Sequence, residues 1–98
     1  MKRTNTNNET NNATYEPIVI SSVSVERVRD TSKGVFFTLV LNGIYIHGCK
    51  VVESKNGDFI SFPQYKGNNG KWYSYVWIPL SEADSNNIIS LVEAELNS

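Results

Sequence analysis

Few residues in this 98-residue chain can support redox, metal or nucleophilic chemistry, because it has one cysteine and one histidine. A single cysteine excludes an internal disulfide and is typical of proteins in a reducing compartment. The short patterns of P-loop nucleotide-binding proteins, zinc proteases and serine hydrolases are also missing from the chain. We therefore expect a protein that is not an enzyme and that uses no cofactor.

The chain also lacks a long apolar run and the hydrophobic segment of a secretory signal. These absences predict a cytoplasmic protein that does not enter a membrane. The formal net charge is −1, without the overall basic excess that is usual in nucleic-acid-binding proteins. The length predicts a single domain.

What the sequence does contain is an uneven distribution of charge. Residues 26–71 carry seven basic and four acidic side chains, a net charge of +3. Residues 81–98 carry four acidic side chains and no basic one, a net charge of −4. Such an asymmetry can orient a charged partner, whatever the net charge of the whole chain.

The first segment, "MKRTNTNNETNNATYE" (1–16), is polar, rich in asparagine and without apolar periodicity. A segment of this composition cannot bury enough surface to offset the entropy of ordering it. We predict a disordered tail over residues 1–16 and a folded domain over residues 17–98.

Most of the folded domain has the pattern of β-strands. Strands are predicted in "IVISSVSVERVR" (18–29), "VFFTLVL" (35–41), "IYIHGCKVV" (44–52), "DFISF" (58–62) and "WYSYVWI" (72–78). Asn42 and Gly43 predict a tight hairpin turn, because both positions of such a turn favour positive φ angles. In the last strand, Tyr73, Tyr75 and Trp77 would share one face.

A helix is predicted over residues 81–97. Ser81 is its N-cap, and Asp84 three residues later completes a capping box. An apolar stripe follows at helical spacing: Ile88, Ile89, Leu91, Val92 and Leu96. The fold class is therefore α+β, a small antiparallel sheet of four to five strands with one C-terminal helix. One helix covers one face of the sheet, so we expect a homodimer that buries the other face.

Two groups of side chains are candidates for chemistry. His47 and Cys49 lie two residues apart in a strand and so share a face, but two ligands without a third make a packed pair a better interpretation than a metal site. The aromatic stripe Tyr73, Tyr75 and Trp77 could stack on nucleic-acid bases, or it could belong to the core or the dimer interface.

The loop "QYKGNNGK" (64–71) is the strongest candidate for a contact surface. Lys66 and Lys71 lie close in sequence to Tyr65 and Trp72, and the glycines at 67 and 70 would allow backbone N–H groups to approach a phosphate. The alternative is a long hairpin turn whose lysines are simply solvated. Composition does not separate the two.

The order of these features resembles the SpoVG family, the stage V sporulation protein G-like regulators of bacteria. The resemblance is carried by "SVERVR" at the end of the first strand, the block "IHGCKVVESKNGDFISFP" (46–63) with His47, Lys50, Phe59 and Pro63, "NNGKW" (68–72), and "IPLS" (78–81) before the helix. The features run in the same order along most of residues 20–96.

The resemblance implies a dimeric α+β regulator of septation and sporulation that binds DNA, RNA or both. In this family the loop after the position of Pro63 is basic and is implicated in DNA contact, and the basic residues there are Lys66 and Lys71. The predicted contacts are Lys66, Lys71, Tyr65, Trp72, Lys50 and Lys55. With so few lysines, we expect weak to moderate, salt-sensitive binding.

A different class of function stays open. The aromatic strand 72–78 and the acidic helix 81–97 could form a protein–protein interaction module that has lost nucleic-acid binding. The test is whether the basic residues of the body converge on one surface.

Overall fold

The computed structural model describes residues 16–98. The predicted disordered tail (1–16) therefore falls, apart from Glu16, outside the described residues. The elements are β1 (Val23–Thr31), β2 (Gly34–Leu41), β3 (Ile44–Val52), β4 (Phe59–Ser61), β5 (Gln64–Lys66), β6 (Trp72–Ser74) and α1 (Glu82–Leu96). Strands β1 to β4 form one antiparallel sheet in chain order, and β5 and β6 form a separate hairpin. The α+β class is confirmed.

The Asn42–Gly43 turn between β2 and β3 forms as predicted. Its two φ angles are 51° and 82°, the positive values of a type I′ hairpin turn. Asn42 also fixes the segment that enters β1. Its Oδ1 atom accepts hydrogen bonds from the Ser21 and Ser22 N–H groups at 2.7 and 3.2 Å, and its Nδ2 atom donates to the Val19 carbonyl at 2.9 Å.

Helix α1 begins where the sequence predicts, because the Ser81 hydroxyl accepts a hydrogen bond from the Asp84 N–H group at 3.1 Å. Ile88, Ile89 and Val92 are buried against one face of the four-stranded sheet. The sheet contributes Phe37, Leu39, Leu41, Ile46, Cys49, Val51 and Phe62 to this core. Within residues 16–98, no helix is long and apolar enough to cross a bilayer.

A strand was predicted over residues 72–78. The prediction is confirmed for residues 72–74 and is wrong for residues 75–78. Strand β6 ends at Ser74, and the Tyr75 N–H group donates to the Pro63 carbonyl at 2.9 Å. Residues 76–80 join no ladder in the described part of the chain. Because proline cannot donate to a ladder, Pro63 separates β5 from β4. Gln64–Lys66, predicted as part of a loop, consequently form β5 and pair with β6 in a hairpin beside the sheet, so β6 is not a fifth strand within it.

The side chains of residues 75–78 nevertheless alternate between the core and the solvent, as the sequence pattern predicts. Val76 and Ile78 pack against the core, while Tyr75 and Trp77 remain 71% and 59% exposed. An extended segment that crosses the edge of a core alternates in and out just as a strand does. Periodicity alone therefore cannot show whether the segment pairs with another strand.

Candidate functional site

The face of the sheet opposite helix α1 carries mostly polar and charged side chains. We call it the open face. Strand pairing places the following residues there: Ser24, Glu26 and Arg29 from β1, Phe36, Thr38 and Val40 from β2, Tyr45, His47 and Lys50 from β3, and Ser61 from β4. Large apolar side chains were expected on this face, but the few present are interspersed with basic ones.

One row across the open face consists of a cation, an aromatic ring and a second cation. Arg29 pairs with Phe36 across β1 and β2, and Phe36 pairs with Lys50 across β2 and β3. The Lys50 Nζ atom lies 5.6 Å from the centroid of the Phe36 ring, within the range of a cation–π contact. Because adjacent strands are about 4.8 Å apart, the two cations flank the ring across about 10 Å.

Two β-bulges meet beside this row. On β1 the register shifts between Glu26 and Arg29, where Arg27 has a φ of 54°. On β3 the register shifts opposite Thr38, where Gly48 has a φ of 86°. A bulge bends its strand and increases the local twist. Since both bulges flank the same part of β2, the open face is concave there.

The concave region is a hollow of about 660 Å³. Its lining, which defines the hollow, consists of Arg27, Arg29, Phe36, Phe37, Thr38, His47 and Gly48. Thr38 Oγ1 and His47 Nδ1 lie 3.0 Å apart, and Thr38 is 3% exposed, so this pair fixes one wall. The hollow is in the size range of small-ligand sites. It combines two guanidinium groups, two phenyl rings and an imidazole.

A groove of about 510 Å³ continues from the hollow to the β5–β6 hairpin. Phe36 and Gly48 line both the hollow and the groove. The other residues that line the groove are Lys50, Ser61, Phe62, Pro63, Gln64 and Trp72. The hollow and the groove therefore adjoin at Phe36 and Gly48, and we call the two together the concave surface.

Two of the six predicted contact residues line this surface, and a third lies on the same face of the β5–β6 hairpin as Trp72. Lys50 and Trp72 line the groove, and the Trp72 side chain is 63% exposed. Lys66 lies directly opposite Trp72 in the β5–β6 register, and side chains at opposite positions share one face of a hairpin. The sheet thus places the cation of Lys50 in the groove, and the hairpin carries the cation of Lys66 on the face of Trp72.

The other three predicted residues are placed differently. Tyr65 pairs with Tyr73, so the alternation of the strand puts it on the hairpin face opposite to Trp72. Lys71 follows the loop and immediately precedes Trp72. Lys55 lies in the turn between β3 and β4 and lines neither the hollow nor the groove.

The loop after β5 is an internally bonded turn. The Gly67 N–H group donates to the Lys71 carbonyl at 2.8 Å, and the Gly70 N–H group donates to the Gly67 carbonyl at 3.0 Å. The Lys71 N–H group donates to Asn69 Oδ1 at 2.9 Å. The loop therefore already uses these three N–H groups, and the approach of loop N–H groups to a phosphate stays a prediction.

Tyr65, Tyr73 and Tyr75 pack together on one side of the hairpin, and we call them the tyrosine cluster. The Tyr65 ring lies 5.6 Å from the Tyr73 ring and 4.7 Å from the Tyr75 ring, centroid to centroid. The Asn69 amide donates to the Tyr73 hydroxyl at 2.9 Å. A Cβ atom at position 67 would come within 2.8 Å of Tyr73 Cε2, so Gly67 is needed for this close approach.

The predicted aromatic stripe does not form one surface. Tyr73 and Tyr75 belong to the tyrosine cluster, whereas Trp77 lines a separate groove of about 340 Å³. That groove, which we call the apolar groove, is lined by Phe59, Ile60, Phe62, Trp77, Ile78, Pro79, Leu80 and Ser85. Base stacking along the whole stripe, one of the two interpretations left open by the sequence, is therefore not supported by its geometry.

His47 and Cys49 lie on opposite faces of β3, contrary to the prediction. The bulge at Gly48 adds one residue and reverses the alternation. His47 is exposed and contacts Thr38, whereas Cys49 is buried in the core. Burial raises the pKa of the Cys49 thiol to about 11, and a backbone hydrogen bond from Leu39 partly opposes the rise. Residues 16–98 contain no group of three or more His, Cys, Asp or Glu side chains placed to hold a metal ion.

The lining of the hollow was not among the predicted contacts. The sequence contains one signal for the β3 bulge that shapes the hollow. A glycine inside a strand pattern, here Gly48, often marks a bulge. The β1 bulge at Arg27 has no such signal.

Comparison with known proteins adds no relative, since no protein-family profile, curated protein or solved structure matches the chain.

Proposed function

We propose that this protein binds nucleic acid through the concave surface and acts as a regulator of the kind that the SpoVG resemblance implies. One observation carries the proposal. The concave surface joins the cations Arg27, Arg29 and Lys50 to two aromatic side chains, Phe36 and Trp72. Cations hold phosphates and accessible aromatic rings stack on bases, and here one ring, Phe36, is half-buried and the other, Trp72, is exposed, so the combination suits nucleic-acid binding.

The separation of charge between the two sides of the sheet supports the proposal. Helix α1, with its exposed carboxylates Glu82, Glu93 and Glu95, packs on the face opposite to the concave surface. A polyanion on the concave surface therefore meets the basic side of the molecule. The near-zero net charge of the chain conceals this local excess.

Few phosphates take part in such an interface. Arg27, Arg29 and Lys50, with Lys66 on the hairpin, would neutralise about four phosphates, which gives a salt slope of roughly −3 for single strands. Binding is expected to weaken steeply with salt. Lys71 would add one contact at the end of the hairpin.

The test compares two lysines that carry the same charge but occupy different places. Fluorescence anisotropy of labelled DNA and RNA is measured at about 50 and 200 mM salt, the range over which phosphate contacts lose affinity. Lys50→Glu should weaken binding about tenfold or more, because it reverses a charge inside the groove. Lys55→Glu is the matched control and should change affinity no more than about twofold.

The loop variant tests the residues nearest the hairpin tip. Lys66→Glu combined with Lys71→Glu should abolish measurable binding at moderate salt while leaving the fold intact. Unchanged affinity in both this variant and Lys50→Glu would discard the interface. Absence of binding to any nucleic acid at low salt would discard the proposed function.

A sheet-mediated homodimer stays a prediction. Phe36, Val40 and Tyr45 offer apolar contacts on the open face, but a dimer over that face would bury Arg29 and Lys50 and exclude nucleic acid. Sedimentation velocity with and without an oligonucleotide distinguishes the cases. A dimer that dissociates when the oligonucleotide binds would use the open face.

A second candidate, a protein-interaction module, is favoured by the apolar groove. Phe59 and Trp77 are 49% and 59% exposed beside it, a notable apolar exposure for so small a domain. The acidic residues of helix α1 start near this groove, since Ser85 lines it. Under this interpretation nucleic acid does not bind at low salt, and polar substitution of Trp77 abolishes partner binding.

A further inference from the structure

We infer that the hollow seats one unpaired nucleotide, so that the concave surface binds single strands in preference to duplexes. This inference rests on the proposed function and specifies its substrate. It concerns a place in the molecule, the paired bulges of β1 and β3, that the sequence analysis did not connect with binding.

The hollow offers a separate partner for each part of a nucleotide. Arg27 and Arg29 present planar guanidinium groups, which bind phosphate in a bidentate manner. Phe36 presents an aromatic ring on which a base can stack. Thr38 and His47 bring hydrogen-bonding groups to the wall, where the polar edge of a base would lie.

A second stacking position lies farther along the concave surface. Trp72 lines the groove, and the groove shares Phe36 and Gly48 with the hollow. Lys50 lies between the two aromatic residues and can neutralise the phosphate that links stacked bases. A strand that runs from the hollow to the hairpin would cover on the order of four nucleotides, the lower end of site sizes on single-strand-binding domains.

A duplex cannot use most of these contacts. Its bases are paired and stacked on one another, so their faces do not reach Phe36 or Trp72. Only the phosphate contacts remain, and they come from about four cations. Loss of the stacking contributions alone predicts at least a tenfold preference for single strands.

The decisive variant removes stacking without changing charge. Phe36→Leu replaces the ring with an aliphatic side chain and leaves the number of charges unchanged, although Lys50 loses its contact with the ring. Its matched control is Phe59→Leu, because Phe59 is a partly exposed phenylalanine of β4 outside the concave surface. Affinities are measured for an oligothymidine of about ten nucleotides and for a duplex of the same length, at one salt concentration.

A second variant does not depend on how well Phe36→Leu folds. Arg27 has a φ of 54°, a conformation that glycine adopts without strain, so Arg27→Gly removes the guanidinium group and keeps the bulge. Lys33→Gln is its control, because Lys33 lies in the β1–β2 turn and lines neither the hollow nor the groove.

The inference predicts that wild-type protein binds the single strand at least tenfold more tightly than the duplex. Phe36→Leu should reduce this ratio at least fivefold, and Arg27→Gly should weaken single-strand binding at least threefold, while both controls match wild type. Two results would overturn the inference and leave the proposed function standing. The first is that the wild-type protein binds the duplex as tightly as the single strand. The second is that Phe36→Leu leaves the ratio of single-strand to duplex affinity unchanged and Arg27→Gly leaves single-strand affinity unchanged. Absence of binding to either form overturns both.

Discussion

Thr38 and His47 are linked by their side chains across the point where the two bulges meet, with 3.0 Å between Thr38 Oγ1 and His47 Nδ1. Thr38 pairs with Glu26 at the edge of the β1 bulge, and it faces the β3 bulge at Gly48. Thr38 therefore connects three strands, since its backbone position pairs with β1 and its hydroxyl contacts β3. Because the hollow takes its shape from both bulges, this contact should matter for binding as well as for stability.

Thr38→Val tests that connection. The substitution keeps the shape of the side chain and removes the hydroxyl, which should lower the free energy of unfolding by about 1 kcal/mol. Nucleic-acid affinity should fall severalfold, because His47 loses the contact that fixes its ring. Thr38→Ser, which keeps the hydroxyl, should bind better than Thr38→Val. Urea denaturation and anisotropy provide the two measurements, and equal affinity in the two variants would remove Thr38 from the site.

Glu26→Gln should strengthen nucleic-acid binding. Glu26 pairs with Thr38, so its carboxylate shares the open face with the cations of the hollow and repels phosphate. Neutralising it should raise affinity about twofold to fivefold at low salt and less at high salt. Glu53→Gln is the control, since Glu53 lies after β3 in the depression that contains Lys33. Anisotropy titrations at two salt concentrations measure the effect, and unchanged or weaker binding would contradict the assigned face.

The hairpins and the helix could be predicted because their signals are local. Asn42 and Gly43 specify a turn through their own backbone preferences, and Ser81 caps the helix through a contact three residues away. The extent of the last strand was not predictable in this way. Whether Tyr75 and Trp77 pair with another strand depends on Pro63 and on the hairpin that follows it. The sequence pattern around Tyr75 and Trp77 contains no information about either.

The functional surface was harder to predict than the fold. Lys50 and Trp72 were identified, but Arg27 and Arg29 join them only because two bulges turn the strands at that point. Regular alternation also led to the wrong prediction that His47 and Cys49 lie on the same face of β3. A one-residue bulge reverses every inference that relies on a period of two, and its position is set by contacts between strands.

Asn42→Ala should destabilise the fold more than an ordinary turn substitution. It removes the amide that holds the Val19, Ser21 and Ser22 backbone, and it places alanine at a φ of 51°. The expected loss is about 2 kcal/mol of unfolding free energy. Asn56→Ala in the β3–β4 turn is the control and should cost less than about 0.5 kcal/mol. Equal losses in urea denaturation would refute the role of the Asn42 side chain.

The Cys49 thiol should make stability depend on pH in the alkaline range. Its pKa is about 11 in the folded protein and 9.0 in its ordinary state. The folded state therefore holds the thiol proton more tightly, so stability is unaffected below pH 9 and decreases as pH rises from 9 to 11. The decrease should reach about 3 kcal/mol.

Cys49→Ala isolates this contribution from other groups that titrate in the same range. The variant should be less stable at neutral pH, because a buried side chain has been shortened, but it should lose less stability than wild type between pH 9 and 11. Parallel curves for the two proteins in urea denaturation would show that thiol burial does not govern the alkaline transition.

The most direct test of the central claim uses Trp72 as a reporter inside the groove. In Trp77→Phe the remaining tryptophan is Trp72, and in Trp72→Phe it is Trp77, which lies in the apolar groove. Titration with oligothymidine should quench the fluorescence of the first variant and leave that of the second unchanged, because Trp72 lines the concave surface and Trp77 does not. Quenching in neither variant, or in the Trp77 reporter instead, would contradict nucleic-acid binding at the concave surface.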